Sequence, residues 1–407
     1  MICGLLGEKL EHSYSPAIHK ILGYYTYSLF EKSPEELEDF LKNGTFTGIN
    51  VTIPYKKAVI PYCSALSPVA QKLGAVNILV RQPDGSLIGH NSDYFGFETM
   101  LDNSGLQVGK KKVLVLGSGG AANTAIAVLE EKGAQVVTIS RTGSNHYGNL
   151  SFHSDAAVIV NATPVGMFPN AGEAPLSLSH FPRLEGVLDA IYNPARTKLL
   201  LDAEARGIVA MNGLWMLVAQ AKEASEWFSG KKIPNKTIED IYHSLQRQME
   251  NIILIGMPGC GKSAVGKLVS QITGKKFVDT DAVIAERAGC TIPEIFANQG
   301  EAAFRKLESQ VLSDFGKKSG LVIATGGGCV TQPENYPLLH QNGRLFLIER
   351  RLDKLATQGR PLSENGKLEE MYRIRKPLYD AFADYQIENQ GTVAKAAEKI
   401  LRIWEEI

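Results

Sequence analysis

The sequence has little cysteine, and what it has is scattered. Cys3, Cys63, Cys260, Cys290 and Cys329 form no Cys-x-x-Cys pair and join no His cluster. That spacing excludes a disulfide framework and a zinc site, and it reads as reduced thiols in a cytoplasmic protein. An excess of either charge is also missing, because Lys plus Arg and Asp plus Glu number 43 each. A balanced chain has no electrostatic footprint for nucleic acid or an acidic membrane surface, and neither is expected as a partner. No apolar run approaches the roughly 20 residues that span a bilayer. The opening MICGLLGEKLEHSYS acquires charge too early for a signal peptide. Internal repeats and low-complexity tracts are absent as well.

What is present is an ordinary globular composition, 44% apolar over 407 residues. That length predicts two or three domains, each with its own core. Up to about Leu101, short apolar runs alternate with helical stretches. ICGLLG and GINVTIP read as strands. SPEELEDFLKNG reads as a helix with Ser33 as N-cap and Pro34 in its first turn. AVNILVRQPDGSLIGHN reads as a hairpin turning at Pro83-Asp84-Gly85. From Lys111 the order becomes strand, Gly-rich turn, helix, strand, in the ~30 residues of a βαβ unit. Strands at AAVIVNAT and GVLDAIY follow, then a helix from about Leu214 to Phe228. KTIEDIYHSLQRQMEN is a further helix that ends almost against the strand IILIG. The boundary is placed near Met249, with no Gly/Ser or Pro linker, so the two halves are expected to be held close. A second α/β unit follows, with strands near Ile252, Phe277, Leu321 and Leu345.

Two glycine-rich loops of different design carry the chemistry. In VLVLGSGGAANTA, Gly117-x-Gly119-x-x-Ala122 follows a strand and opens a helix, which is the context of a dinucleotide-binding turn. The next strand ends in Ser140-Arg141-Thr142, where an NAD site usually places an acidic residue. Arginine can pair with a 2′-phosphate, which favours NADP, unless Arg141 is a solvated strand-end cation.

Upstream lie polar residues that taken singly read as surface or capping groups. HSYSP sets Ser13 and Ser15 two apart; in an extended loop both hydroxyls would face one way, as a clamp for a carboxylate. NVTIPYKK puts Thr52 and Lys56 just beyond a strand. Asn77 ends GAVN, and Asp93 lies in HNSDYFGF.

The second loop, Gly256-Met-Pro-Gly-Cys-Gly-Lys-Ser263, fits the phosphate-loop pattern, with Lys262 for the β/γ-phosphates and Ser263 for Mg²⁺. KFVDTDAVIAERAG ends a strand with Asp279 and Asp281. While the chain stays extended, both carboxylates share a face, one for Mg²⁺ and one for an acceptor hydroxyl. ATGGGCV follows the strand GLVIA without an acidic residue, and its three glycines allow close backbone approach. GEAAFRKLES, QGRPLS and RIRKPLYDAFADY supply Arg305, Arg360 and Arg375. Cys260 is a small filler of the loop, or alternatively a redox-sensitive thiol beside Lys262.

HSYSP, NVTIPYKK, GAVN, HNSDYFGF, VLGSGGAA, NATPVGM, IYNP and NGLWMLVAQA occur in the order and approximate spacing of shikimate dehydrogenases, and residues 1–245 resemble that family. The resemblance implies NADP-dependent interconversion of 3-dehydroshikimate and shikimate. It implies Ser13 and Ser15 on the ring carboxylate; Thr52, Asn77, Asp93 and Gln220 on ring hydroxyls; and Tyr192 lining the site. Lys56 and Asp93 would be the catalytic pair. NADP(H) would lie on Gly117, Gly119, Gly120, Ala121 and Ala122, on Ser140, Arg141 and Thr142, and beside Thr163 and Gly213. Where that family often has Asn-Arg-Thr, this chain has Ser140-Arg141-Thr142. Hydride delivery to a ketone builds charge on oxygen, and a titratable ammonium such as Lys56 can stabilise and protonate it.

Residues 250–407 resemble shikimate kinase. That resemblance implies Asp281, Arg305, Gly327, Gly328 and Arg375 on shikimate, with the arginines on its carboxylate. It implies ATP on Gly259, Cys260, Gly261, Lys262, Ser263 and Ala264, Mg²⁺ at Ser263 and Asp279, and Arg360 in a lid over about 353–368. Lys262, Asp281 and Arg360 would be catalytic.

The expected architecture is α/β throughout. A substrate domain spans 1–104, completed by helices at about 213–248. A Rossmann-type NADP domain spans 105–212, and a P-loop kinase domain spans 250–407. The expected function is bifunctional, reduction followed by phosphorylation. The alternatives are a quinate-preferring dehydrogenase, a kinase for another small polyol such as gluconate, or one half acting as a nucleotide-binding regulatory module.

Overall fold

The computed structural model describes residues 1–10, 13–23, 25–355 and 368–406. These form two compact units. The first comprises Met1–Pro164, Pro175–Tyr192 and Asp202–Ser244, and the second Val165–Ala174, Asn193–Leu201 and Leu245–Ile407. The last break falls inside the helix Lys236–Met249.

The first unit contains two sheets. Strands β1 (Ile2–Gly7), β2 (Thr26–Glu31), β3 (Gly48–Val51), β4 (Ala65–Leu66), β5 (Ile78–Arg81) and β6 (Leu87–His90) lie in the order β2-β1-β3-β5-β6-β4. β1 pairs in parallel with both β2 and β3, and β3, β5 and β6 run antiparallel. The expected hairpin joins β5 to β6, with Gln82 and Ser86 bonded across Pro83-Asp84-Gly85. β7 (Lys112–Leu116), β8 (Gln135–Ile139), β9 (Val158–Asn161), β10 (Gly186–Asp189) and β11 (Val209–Met211) form a parallel sheet ordered β11-β10-β9-β7-β8. Its central strands, KVLVL and VIVN, are apolar runs because helices cover both faces of such a sheet. The chain leaves β7 towards β8 and returns to β9 on its other side. The strand order therefore reverses at the carboxyl end of β7, where doubly wound sheets bind ligands.

One expected helix is shorter than its sequence suggests. The regular helix spans Leu37–Asn43, and residues 34–36 form a turn. The Ser33 N–H donates to Glu36 Oε2 at 2.9 Å. This local bond closes the turn, so Ser33 is not the cap of the regular helix.

The second unit is built on the parallel sheet β13-β14-β12-β15-β16, with β12 (Asn251–Ile255), β13 (Lys276–Asp279), β14 (Leu321–Ala324), β15 (Gly343–Glu349) and β16 (Tyr385–Glu388). β12 is fully buried at the centre, and its carboxyl end runs into the phosphate loop. β16 was not legible in the sequence. YQIE is an edge strand with only Ile387 buried, too polar and short to stand out.

Candidate active sites

In the first unit, a cavity of about 250 Å³ brings together residues from widely separated stretches of chain. It is lined by Ser13, Ser15, Thr52, Lys56, Asn77, Asp93, Tyr192, Gly213 and Gln220, together with Asn50, Met216 and Leu217, which the sequence did not single out. Lys56 Nζ donates to Asp93 Oδ2 at 2.5 Å. Asn77 Nδ2 donates to Asp93 Oδ1 at 2.9 Å, so the carboxylate is held from both sides. Asn77 also accepts the buried Ser92 N–H, and the Asp93 N–H is capped by Asn91 Oδ1 at 2.9 Å. These bonds fix Asp93 at the first position of the helix Asp93–Ser104, where the helix dipole favours a negative charge. The pair is partly open to the cavity, with Lys56 27% and Asp93 13% exposed.

Ser13 and Ser15 both reach this cavity, but not through an extended loop. Tyr14 has helical backbone angles and Ser15 is the first residue of the helix Ser15–Leu22, so the two-residue strand periodicity does not apply. The Ser15 N–H donates to Ser13 Oγ at 3.2 Å, the bond of a helix entry. Tyr192 meets Tyr14 edge to face at 6.0 Å. Burial and the neighbouring Tyr14 push the Tyr192 phenol up, so it enters as a neutral donor and acceptor. Gly213 caps the helix Leu214–Ser229, which carries Met216, Leu217 and Gln220 into the cavity.

The dinucleotide turn leaves β7 at Gly117, and Gly119 caps the helix Gly120–Glu131. At Gly119 and Gly120 nothing lies within 4 Å of where a side chain would begin, which is a backbone cradle open to a pyrophosphate. Ala122 is packed into the sheet, as close helix–strand contact requires. Ser140, Arg141 and Thr142 follow β8 directly. Ser140 Oγ accepts the Gly143 N–H at 2.9 Å, and Arg141 and Thr142 are exposed. Thr163 sits beyond β9, its hydroxyl donating to Asn161 Oδ1 at 2.7 Å. The residues present fit a dinucleotide.

In the second unit, a cavity of about 540 Å³ is lined by Gly259, Gly261, Lys262, Ser263, Ala264, Asp279, Asp281, Arg305, Gly327, Gly328 and Arg375. Lys262 Nζ is folded onto its own loop, donating to the Gly256 and Met257 carbonyls at 2.8 and 3.0 Å. Ser263 Oγ donates to Asp279 Oδ2 at 2.6 Å, a hydroxyl and a carboxylate converging on one point. Those hard oxygen donors beside a phosphate loop fit Mg²⁺. Cys260 is fully buried, consistent with a filler.

Asp279 and Asp281 share this cavity for a different reason from the one the sequence suggested. β13 stops at Asp279, and the helix Thr280–Ala288 begins at once. Asp279 is its cap, accepting the Asp281 N–H at 3.1 Å, so Asp281 projects from the helix and not from an extension of the strand. Arg305 is buried with its guanidinium shared between Glu308 Oε2 at 2.7 Å and Glu301 Oε1 at 2.9 Å. Glu308 is fully buried, and the sequence reading missed it. Burial raises its carboxyl pKa, while Arg305 pulls it back. Its spacing from Arg305, three along a helix, was the available signal. Arg360 and most of the expected lid lie outside the described residues.

Each unit thus defines a class. The first has the sheet order, open cradle and acid–base pair of a dinucleotide-dependent oxidoreductase. The second has the loop, paired oxygens and arginines of a phosphotransferase. Residues 5–79 match the family described as shikimate dehydrogenase substrate binding domain, and residues 258–405 match the family described as shikimate kinase. A "Shikimate dehydrogenase (NADP(+))" of Clostridium perfringens is 35% identical over 265 residues, which is 60% of this chain and 97% of that one. Among solved structures, a chorismate mutase/shikimate 5-dehydrogenase fusion protein from Clostridium acetobutylicum aligns with a TM-score of 0.57 at 36% identity, over 60% of this chain and 96% of its own. Shikimate 5-dehydrogenase from Thermus thermophilus, solved in complex with NADP(H) and shikimate, aligns with a TM-score of 0.55 at 31% identity, over 60% and 99%. The chain belongs to the shikimate dehydrogenase family, and it carries a shikimate kinase domain in its C-terminal part.

Proposed function

We propose that the chain performs two consecutive reactions, reduction of 3-dehydroshikimate to shikimate and then phosphorylation of shikimate on its 3-hydroxyl. The observation that carries the first is the Lys56–Asp93 pair, braced by Asn77 inside a cavity of polar side chains. When bound, NADPH supplies a hydride to the first unit, and ATP with Mg²⁺ supplies a phosphoryl group to the second. Lys56 stabilises the charge that develops on the ketone oxygen and donates a proton to it. Asp93 holds the ammonium in place, and Ser13 and Ser15 receive the ring carboxylate. Thr52, Asn77 and Gln220 face ring hydroxyls, with Tyr192 along the wall. Arg141 is the expected partner of a 2′-phosphate.

In the second unit Asp281 orients the 3-hydroxyl and accepts its proton, while Arg305 and Arg375 hold the carboxylate. Lys262 stabilises charge on the transferring phosphoryl group, and Ser263 and Asp279 would hold the metal. The role of Arg360 rests on the sequence. We assign the substrate-binding part to 1–104 with the helices at 213–248, the NADP part to 105–212 and the kinase to 250–407. Among the described residues no helix is long and apolar enough to cross a membrane, and the free cysteines agree with a cytoplasmic location.

Two single substitutions test this reading. Lys56→Ala should lower dehydrogenase kcat by about 10²–10⁴ and leave the kinase rate at its wild-type value. Lys262→Ala should do the reverse. Loss of both activities in a folded Lys56→Ala protein would contradict two independent sites.

A further inference from the structure

The glycine turn after β14 is held from behind by a residue that the roles above do not use. The helix Leu368–Phe382 presents Arg375 and Tyr379 four residues apart, hence on one face. Both donate to the same atom. Arg375 Nη1 bonds the Gly327 carbonyl oxygen at 3.1 Å, and the Tyr379 hydroxyl bonds it from the protein interior. Tyr379 is 1% exposed, among the largest side chains buried in the molecule. A carbonyl oxygen accepts two hydrogen bonds, so this one is saturated on the protein side.

The consequence lies at the other end of the peptide. The Gly327–Gly328 bond is trans, so its C=O and N–H point in opposite directions. Neither the Gly327 nor the Gly328 N–H has a hydrogen-bond partner among the described residues. Both residues line the kinase cavity. Gly328 also packs tightly against the arginine expected to take a carboxylate. A side chain there would start 2.2 Å from Arg305 Nη1. A buried backbone donor without a protein acceptor is normally satisfied by something else.

We propose that Tyr379 is a positioning residue for the kinase's acceptor substrate. Its hydroxyl locks the Gly327 carbonyl so that the Gly328 N–H faces the ligand beside Arg305. This rests on the reading of the second unit as a shikimate kinase. A donor that binds ground state and transition state alike acts on KM and not on kcat.

The test is Tyr379→Phe, which keeps the ring in the core and deletes only the hydroxyl. Steady-state kinetics should show the KM for shikimate raised about tenfold, the scale of one lost hydrogen bond, with kcat and the KM for ATP close to wild type. An unchanged KM for shikimate would overturn the proposal. So would parallel rises in both KM values, which would mean general loosening of the site. Wild-type protein assayed alongside separates the two levels of the argument. Its failure to phosphorylate shikimate would overturn the reading of the domain, whereas activity in the wild type with an indifferent variant removes only the role of Tyr379.

Discussion

Single side chains here do chemistry because their neighbours fix them. Asp93 is useful to Lys56 because Asn77 and Asn91 occupy its other contacts, and that arrangement could not be read from HNSDYFGF alone. The identity of the cavity residues was legible, since polar types recurred just beyond apolar runs. Their geometry was less so. Ser13 and Ser15 converge through a helix entry, and Asp279 and Asp281 through a helix cap. Glu308 stayed hidden because a carboxylate on a helix of mixed charge reads as surface until burial is known.

His19 makes a pH prediction at this scale. Its ring is fully buried, stacked on Tyr27 at 4.0 Å, with Nδ1 2.6 Å from the Tyr25 hydroxyl. Burial holds the imidazole down at about 3, against an Asn50 contact that pulls upward. The unfolded ring titrates near 6.5, so below that pH the unfolded state takes up a proton that the folded state refuses. Stability present at neutral pH is therefore lost as pH falls from 6.5 towards 3. Between pH 7 and 5 the loss should be about 2 kcal/mol. Urea unfolding of wild type and His19→Gln at both pH values measures it, and equal losses in the two proteins would contradict the assignment.

At the scale of elements, both nucleotide sites follow one rule, in which a buried strand ends in glycines and a helix begins. That pattern was the most legible feature of the chain, because apolar strands and Gly-rich turns are both local signals. Edge elements were the least legible, as β16 shows. Helix placement also sets the dehydrogenase cavity. At Gly213 a side chain would begin 2.1 Å from the Ala190 carbonyl oxygen, which is backbone and cannot swing aside. Gly213→Ala should therefore displace the start of the helix Leu214–Ser229, at a cost of about 1–3 kcal/mol. Because that helix carries Met216, Leu217 and Gln220, dehydrogenase kcat/KM should fall about tenfold or more while the kinase rate is unchanged. Parallel assays of the two activities check this, and an unaffected dehydrogenase would show that the helix entry tolerates the methyl group.

For the whole molecule, the two loops of different design have one explanation. The first cradle suits the pyrophosphate of a redox cofactor and the second the phosphates of ATP, and the product of one reaction is the acceptor of the other. Balanced charge had given no electrostatic footprint for nucleic acid or an acidic membrane surface, and the small-molecule substrates were legible only through the family resemblance. The fold class was legible because each half carries a strand–loop–helix signature within a few tens of residues. The division into compact units was less so, because it depends on contacts distant in sequence: Val165–Ala174 and Asn193–Leu201 group with the C-terminal unit.

The most direct test is a coupled assay on the intact chain with 3-dehydroshikimate, NADPH, ATP and Mg²⁺, following NADPH absorbance and product mass together. NADPH consumption with accumulation of shikimate 3-phosphate is the predicted result. Consumption that stops at free shikimate, with ATP untouched, would contradict the claim that one chain performs both steps.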